Sequence, residues 1–279
     1  MPGLLDLSSP RALRRLLPLA ALAASVTLSA CASSPLGRSQ LTLYSDQELE
    51  KMGEASFSKY QQELPVVEGR QDAYVSCVAD AVTAKVPASY GISGWQVKVF
   101  EDESANAFAL PGGYIGVNTG LLEVAENQDQ LATVIGHEIA HVLARHANER
   151  VSTQSLTSAG LSLTQALAGL EGTGGDQLMG LLGMGAEYGV LKPFSRSHES
   201  EADLLGLDLM AEAGFDPRAS IKLWANMNAA GGAQPPVWMS THPSDEQRMA
   251  ALNERLETAL PTYQQARAAG EKPNCDRLR

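Results

Sequence analysis

Basic charge is in short supply. In 279 residues, 21 Lys and Arg stand against 32 Asp and Glu, for a formal net charge of −11. Without a basic excess there is little to displace counterions from a phosphate backbone, which excludes nucleic acid as an electrostatic partner. Aromatic residues make up only 5% of the chain, too few for a base-stacking platform. Apolar runs are short: residues 16–30 and 178–191 both fall below the length of an ordinary membrane-spanning helix, and the second carries Glu187. Three cysteines and five histidines are few enough to account for singly. Apolar residues are plentiful at 44%, enough to exclude a wholly disordered chain and to build one globular domain with appendages.

The N-terminal stretch looks like an address. Arg11, Arg14 and Arg15 precede an apolar run rich in Leu and Ala, the pattern of a secretory signal. The run ends Leu28-Ser29-Ala30-Cys31, which resembles a bacterial lipobox. Residues 1–30 are therefore expected to be a lipoprotein signal peptide. Residues 31–44 are expected to be a tether lipidated at Cys31, and 45–279 the catalytic domain. Ala32 follows the cysteine, with no Asp there. By resemblance to Gram-negative lipoproteins, this implies a lipid anchor in the outer membrane, facing the periplasm. Two cysteines remain, Cys77 and Cys275. An even remainder in an oxidising compartment predicts one disulfide, against the alternative of two buried thiols.

Patterning along the domain predicts helices over 45–60 and 72–86, then strands over 95–100, 107–110 and 114–118 forming a small antiparallel sheet. A long helix is expected over 128–150. Residues 152–190 suggest two helices around a Gly-rich turn, a flap beside the site. Further helices are expected over 197–214, from 216 to 230 and over 244–256, with a Gly/Pro loop at 231–236.

The chemistry sits in His137-Glu138-Ile139-Ala140-His141. Positions four apart share a helix face, so both imidazoles reach one zinc ion, and Glu138 stands beside the remaining zinc position as general base. On a continuous helix His146 points about 180° away and is expected to be structural. The third ligand is sought in Ser197-His198-Glu199-Ser200-Glu201-Ala202-Asp203. Glu199 and Asp203 share a face: one carboxylate can bind zinc while the other holds a ligand histidine's second N–H. Glu199 is favoured as ligand, with Glu201 as the alternative and His198 left outside the ligand set.

The His-Glu-x-x-His pair with a downstream Glu-x-x-x-Asp resembles the gluzincins. Asn106 to Gly113, Gly136 to His146, Ser195 to Asp203, and Thr241-His242-Pro243 with Arg248 resemble peptidase family M48, in particular its soluble lipoprotein members. The resemblance implies an α+β fold: a mainly helical gluzincin-type domain with a small antiparallel β-sheet lining the cleft. It implies one Zn2+ held by His137, His141 and Glu199, with Asp203, Arg196 and Arg248 in support. Asn106, Ala107 and Phe108 would be an edge strand that pairs with extended substrate. His242 would either stabilise the oxyanion or keep the enzyme latent. The implied activity is endopeptidase cleavage of unfolded or misfolded envelope proteins, with the outer-membrane assembly machinery as a further partner. The alternative is an envelope chaperone or assembly factor whose zinc is latent or structural.

Overall fold

A computed structural model describes residues 31–167, 194–230, 237–242 and 246–279. The expected signal peptide, the loop at 231–236 and most of the expected flap lie outside these residues.

Helix α1 (Asp46–Glu63) starts at Ser45, whose side chain accepts from the Glu48 N–H while the Glu48 carboxylate returns to the Ser45 N–H. This capping box satisfies amides that the helix itself leaves open. Helix α2 (Arg70–Thr83) buries Tyr74, Val75, Val78, Ala79 and Val82, one apolar stripe at helical spacing. The sheet consists of β3 (Val66–Val67), β4 (Gln96–Phe100), β5 (Ala107–Leu110) and β6 (Tyr114–Asn118), in the order β3-β4-β6-β5. It is not wholly antiparallel, as the sequence suggested. β5 and β6 form a hairpin whose turn uses Gly112 and Gly113 at positive φ. The connection before it carries the chain past the β6 position, so β6 lies beside β4 and runs parallel to it. β5 is thereby left at the edge.

After the short α3 (Thr119–Val124) comes the central helix α4 (Gln128–Leu143), capped by the Asn127 side chain. It is buried on nearly every face, against α2, the sheet, α6 (Arg196–Glu212) and α7 (Ala219–Ala230). The expected helix over 128–150 is in fact two. Arg145 adopts φ +53°, and α5 (His146–Leu167) departs in a new direction. The chain closes with α8 (Val237–Thr241) and α9 (Glu246–Ala269). Helix α9 outruns the expected end at 256 and continues through Pro261, burying Ala259 and packing Leu256 and Tyr263 on the core. Among the described residues no helix is long and apolar enough to cross a membrane.

Two features close the molecule. Residues expected as a tether form a hairpin instead, β1 (Cys31–Ser33) with β2 (Ser39–Leu41). Cys77 on α2 and Cys275 near the C-terminus are joined in a disulfide, with Cα atoms 5.7 Å apart.

Candidate active site

Helix α4 presents His137 and His141 on one face, with Nε2 atoms 3.0 Å apart. Helix α6 crosses it and brings Glu199, whose Oε2 lies 3.4 Å from His137 Nε2 and whose Oε1 lies 3.6 Å from His141 Nε2. The crossing is close because glycine meets glycine: a Cβ at Gly136 would stand 2.8 Å from the Gly206 oxygen. His242, directly after α8, completes the group, with its Nδ1 3.2 Å from His137 Nε2 and 3.0 Å from Glu199 Oε1. Four ligand atoms, one each from His137, His141, Glu199 and His242, lie within 4.8 Å of one another, and all four residues are buried.

A metal ion fits this arrangement. Glu199 Oε2 is buried and accepts no hydrogen bond, although Arg248 stands 3.0 Å away. Imidazole nitrogens and a carboxylate crowded out of water suit a borderline cation such as zinc, which would satisfy their lone pairs together. Burial alone would raise the Glu199 pKa, but His242 and His137 hold the carboxylate well below its ordinary range. Burial, reinforced by the neighbouring imidazoles of His137 and His242, holds His141 well below the ordinary value and so neutral.

The supports lie one step outward. Asp203 Oδ1 is 3.1 Å from His137 Nδ1. Arg248, itself buried, donates to both Asp203 oxygens at 2.6 and 2.8 Å. Burial works against ionisation of Asp203, but Arg248 and His137 keep its pKa below the ordinary value. The counterweight extends to His137: burial opposes its protonation, yet the neighbouring carboxylates of Asp203 and Glu199 push it up to about 9. Arg196 opens α6 on the surface, outside the buried cluster.

Glu138 sits beside the cluster. Trp238 Nε1 donates to its Oε1 at 2.7 Å, and His242 Nε2 lies 3.4 Å from the same oxygen. Strand β5 flanks the site. Asn106 at its start accepts from the Asn118 N–H at 3.0 Å, and Phe108 packs with Phe57 and Phe100 behind the sheet. A cavity lined in part by Ala107, Phe108 and Ala109 runs to Glu138, His141 and His242.

Sequence reasoning placed His146 too far away. The helix break at Arg145 swings it inward, so that its Nδ1 lies 2.9 Å from His141 Nδ1. Its Nε2 meets Glu201 Oε2 at 3.1 Å, and its ring stacks on His198 with centroids 4.4 Å apart. Trp238 was missed as well. The one signal available was that a buried indole N–H needs an acceptor.

Residues 69–256 match the model described as peptidase family M48. The chain is 39% identical over 182 residues to the mitochondrial metalloendopeptidase OMA1 of Schizosaccharomyces pombe, covering 64% of this chain and 52% of that protein. It is 30% identical over 241 residues to the human mitochondrial metalloendopeptidase OMA1, covering 81% and 46%. It is 31% identical over 176 residues to the β-barrel assembly-enhancing protease of Escherichia coli, covering 60% and 36%. The chain thus spans about half, or less, of the length of these curated relatives. The expected address is corrected by the same comparison: relatives from yeasts, a plant and animals are named as mitochondrial, so the periplasm-facing outer-membrane anchor inferred around Cys31 is withdrawn. The family match covers well over half of the chain and takes in both helices of the His-Glu cluster, and on that ground the chain belongs to peptidase family M48.

Proposed function

We propose that the chain is a zinc-dependent endopeptidase that cleaves extended, unfolded protein segments. The observation that carries this reading is a carboxylate, Glu138, held beside a buried cluster of three imidazoles and Glu199. His137, His141 and Glu199 would hold the zinc. When bound, zinc supplies Lewis-acid polarisation of a water and of the scissile carbonyl. Trp238 occupies Glu138 Oε1. The other carboxylate oxygen then takes the water's proton as the carbonyl is attacked and returns it to the leaving nitrogen. The edge of β5 would hold the substrate in line by main-chain hydrogen bonds, which requires a segment without structure of its own. Two relatives are named for β-barrel assembly, so misfolded β-barrel proteins are the protein substrates to try first.

A second reading rests on the position of His242. Its Nδ1 lies within ligating reach of the cluster, and a closed four-ligand site holds zinc without turning over. The protein would then be latent, or act by binding.

The test is proteolysis of unfolded casein by the zinc-loaded chain and its Glu138→Gln variant, with zinc content measured for both. A general base contributes about 10²–10⁴-fold in rate. A loss of that size at equal zinc supports the peptidase. Equal cleavage by the variant would remove Glu138 from the mechanism. If neither protein cleaves while both hold zinc, His242→Ala distinguishes latency, by a gain of cleavage, from a site without peptidase activity.

A further inference from the structure

His137 and His141 each have one nitrogen in the cluster and one outside it. The outer nitrogen of His137 has Asp203 for a partner. The outer nitrogen of His141, Nδ1, has another imidazole, His146 Nδ1, at 2.9 Å. Two ring nitrogens can share a hydrogen bond only when one carries the proton and the other a lone pair.

The direction of that bond is decided from outside. His146 Nε2 lies 3.1 Å from Glu201 Oε2. The other groups holding Glu201 are donors: Arg38 Nε reaches the same oxygen at 3.1 Å, the Leu36 N–H reaches Oε1 at 3.3 Å, and the Ser34 hydroxyl, which itself accepts from the Arg38 N–H, donates. An arginine N–H and a peptide N–H cannot accept, so Glu201 stays the acceptor and His146 Nε2 carries the proton. A metal ion on His141 Nε2 would leave that ring's proton at Nδ1, so the 2.9 Å contact is a hydrogen bond only with His146 Nδ1 as its acceptor. His146 Nδ1 is then bare and accepts from His141 Nδ1–H. That leaves the lone pair of His141 Nε2 directed into the cluster. The opposite tautomer would place a proton where a metal must bind.

We infer that His146 and Glu201, anchored by Arg38 of the N-terminal hairpin, are positioning residues that hold His141 in its ligating tautomer. They do for His141 what Asp203 does for His137. The inference rests on the reading of His137, His141 and Glu199 as metal ligands, and it adds to them a relay that reaches the hairpin. Glu149, which pairs with Arg38 at 2.7 Å and with His198 at 3.1 Å, steadies the outer end.

The test uses the full chain and zinc alone, with affinity read by competition against a chromophoric chelator. His146→Leu removes the acceptor and should weaken zinc binding about 10–100-fold, the usual cost of losing such a partner. His146→Asn restores an acceptor oxygen near the lost Nδ1 and should recover most of that loss. Glu201→Gln replaces one acceptor oxygen with a donor facing other donors and should also weaken binding. The chain has five histidines, and all of them lie in or against this cluster. Nitrogen-15 spectra of its imidazoles can therefore be assigned one by one. The expected spectrum of the wild type shows protons on His141 Nδ1 and His146 Nε2. A His146→Leu protein that melts like the wild type and binds zinc equally well would overturn the inference while leaving the metal site intact. A proton found on His146 Nδ1 would overturn it too, and that arm decides the matter if the leucine variant does not fold. A wild type that takes up no zinc, or a His137→Ala variant that binds it equally well, would instead overturn the metal site and the relay together.

Discussion

If His137 ligates the metal as proposed, a proton and a metal ion compete for the same nitrogen of this residue. Asp203 and Glu199 overcome the effect of burial and raise this imidazole to about 9, so the metal-free protein holds it as a cation at neutral pH. Zinc must displace that proton. Apparent zinc affinity should therefore rise about tenfold per pH unit from neutrality to about pH 9 and level off above, as metal binding coupled to release of one proton requires. The effect on stability has the opposite sign. The folded pKa lies above the ordinary 6.5, so the imidazolium stabilises the metal-free fold fully below pH 6.5 and loses that contribution as pH climbs through 9. Melting curves with and without zinc between pH 6.5 and 9 should diverge, the metal-free midpoint falling while the stabilisation by zinc grows. Parallel curves would mean that His137 is already neutral in the metal-free protein.

The crossing of α4 and α6 sets ligand spacing, because α4 carries both motif histidines and α6 carries Glu199. A Cβ at Gly206 would lie 2.7 Å from the His137 nitrogen and 2.9 Å from its Cα. Backbone cannot yield as a side-chain tip can. Gly206→Ala should cost about 1–3 kcal/mol of stability, the usual range for overpacking, and should weaken zinc binding by moving Glu199 away from the pair. Gly94→Ala meets open space and should change neither, which makes it the control in urea titrations and zinc binding. This scale also marks how far the sequence was legible. His137, Glu138 and His141 could be read because helix geometry alone brings them together, and Glu199 with Asp203 for the same reason. Helix α2 followed from local pattern. The break at Arg145 did not, because a left-handed residue there is usually glycine and no glycine marks the place. Without the break, His146 faced the wrong way. The parallel pairing of β4 with β6 and the Trp238–Glu138 contact depend on tertiary placement, which no local spacing encodes.

At the scale of the whole chain, the C-terminal tail is fastened to the elements that carry the site. Cys275 is bonded to Cys77 on α2 across 198 positions. The first residue of α4, Gln128, accepts the Cys275 N–H at 2.6 Å and donates to the Pro273 oxygen at 3.1 Å. Arg279 reaches the Leu122 oxygen at 3.0 Å. The tail therefore ties the start of α4 to α2, on the side of the molecule away from His137 and His141 at the other end of that helix. A cross-link closing so long a loop acts mainly on the unfolded chain, removing conformations it would otherwise explore, and is worth about 2–5 kcal/mol. Replacing both cysteines with alanine should lower the unfolding free energy read from urea titration by that amount. Zinc affinity under native conditions should stay within a few-fold of the wild type, because the folded geometry at the cluster does not depend on the bond. A loss of zinc affinity equal to the loss of stability would mean instead that the tail shapes the site directly, with α4 shifting as one rigid rod when its first turn is released.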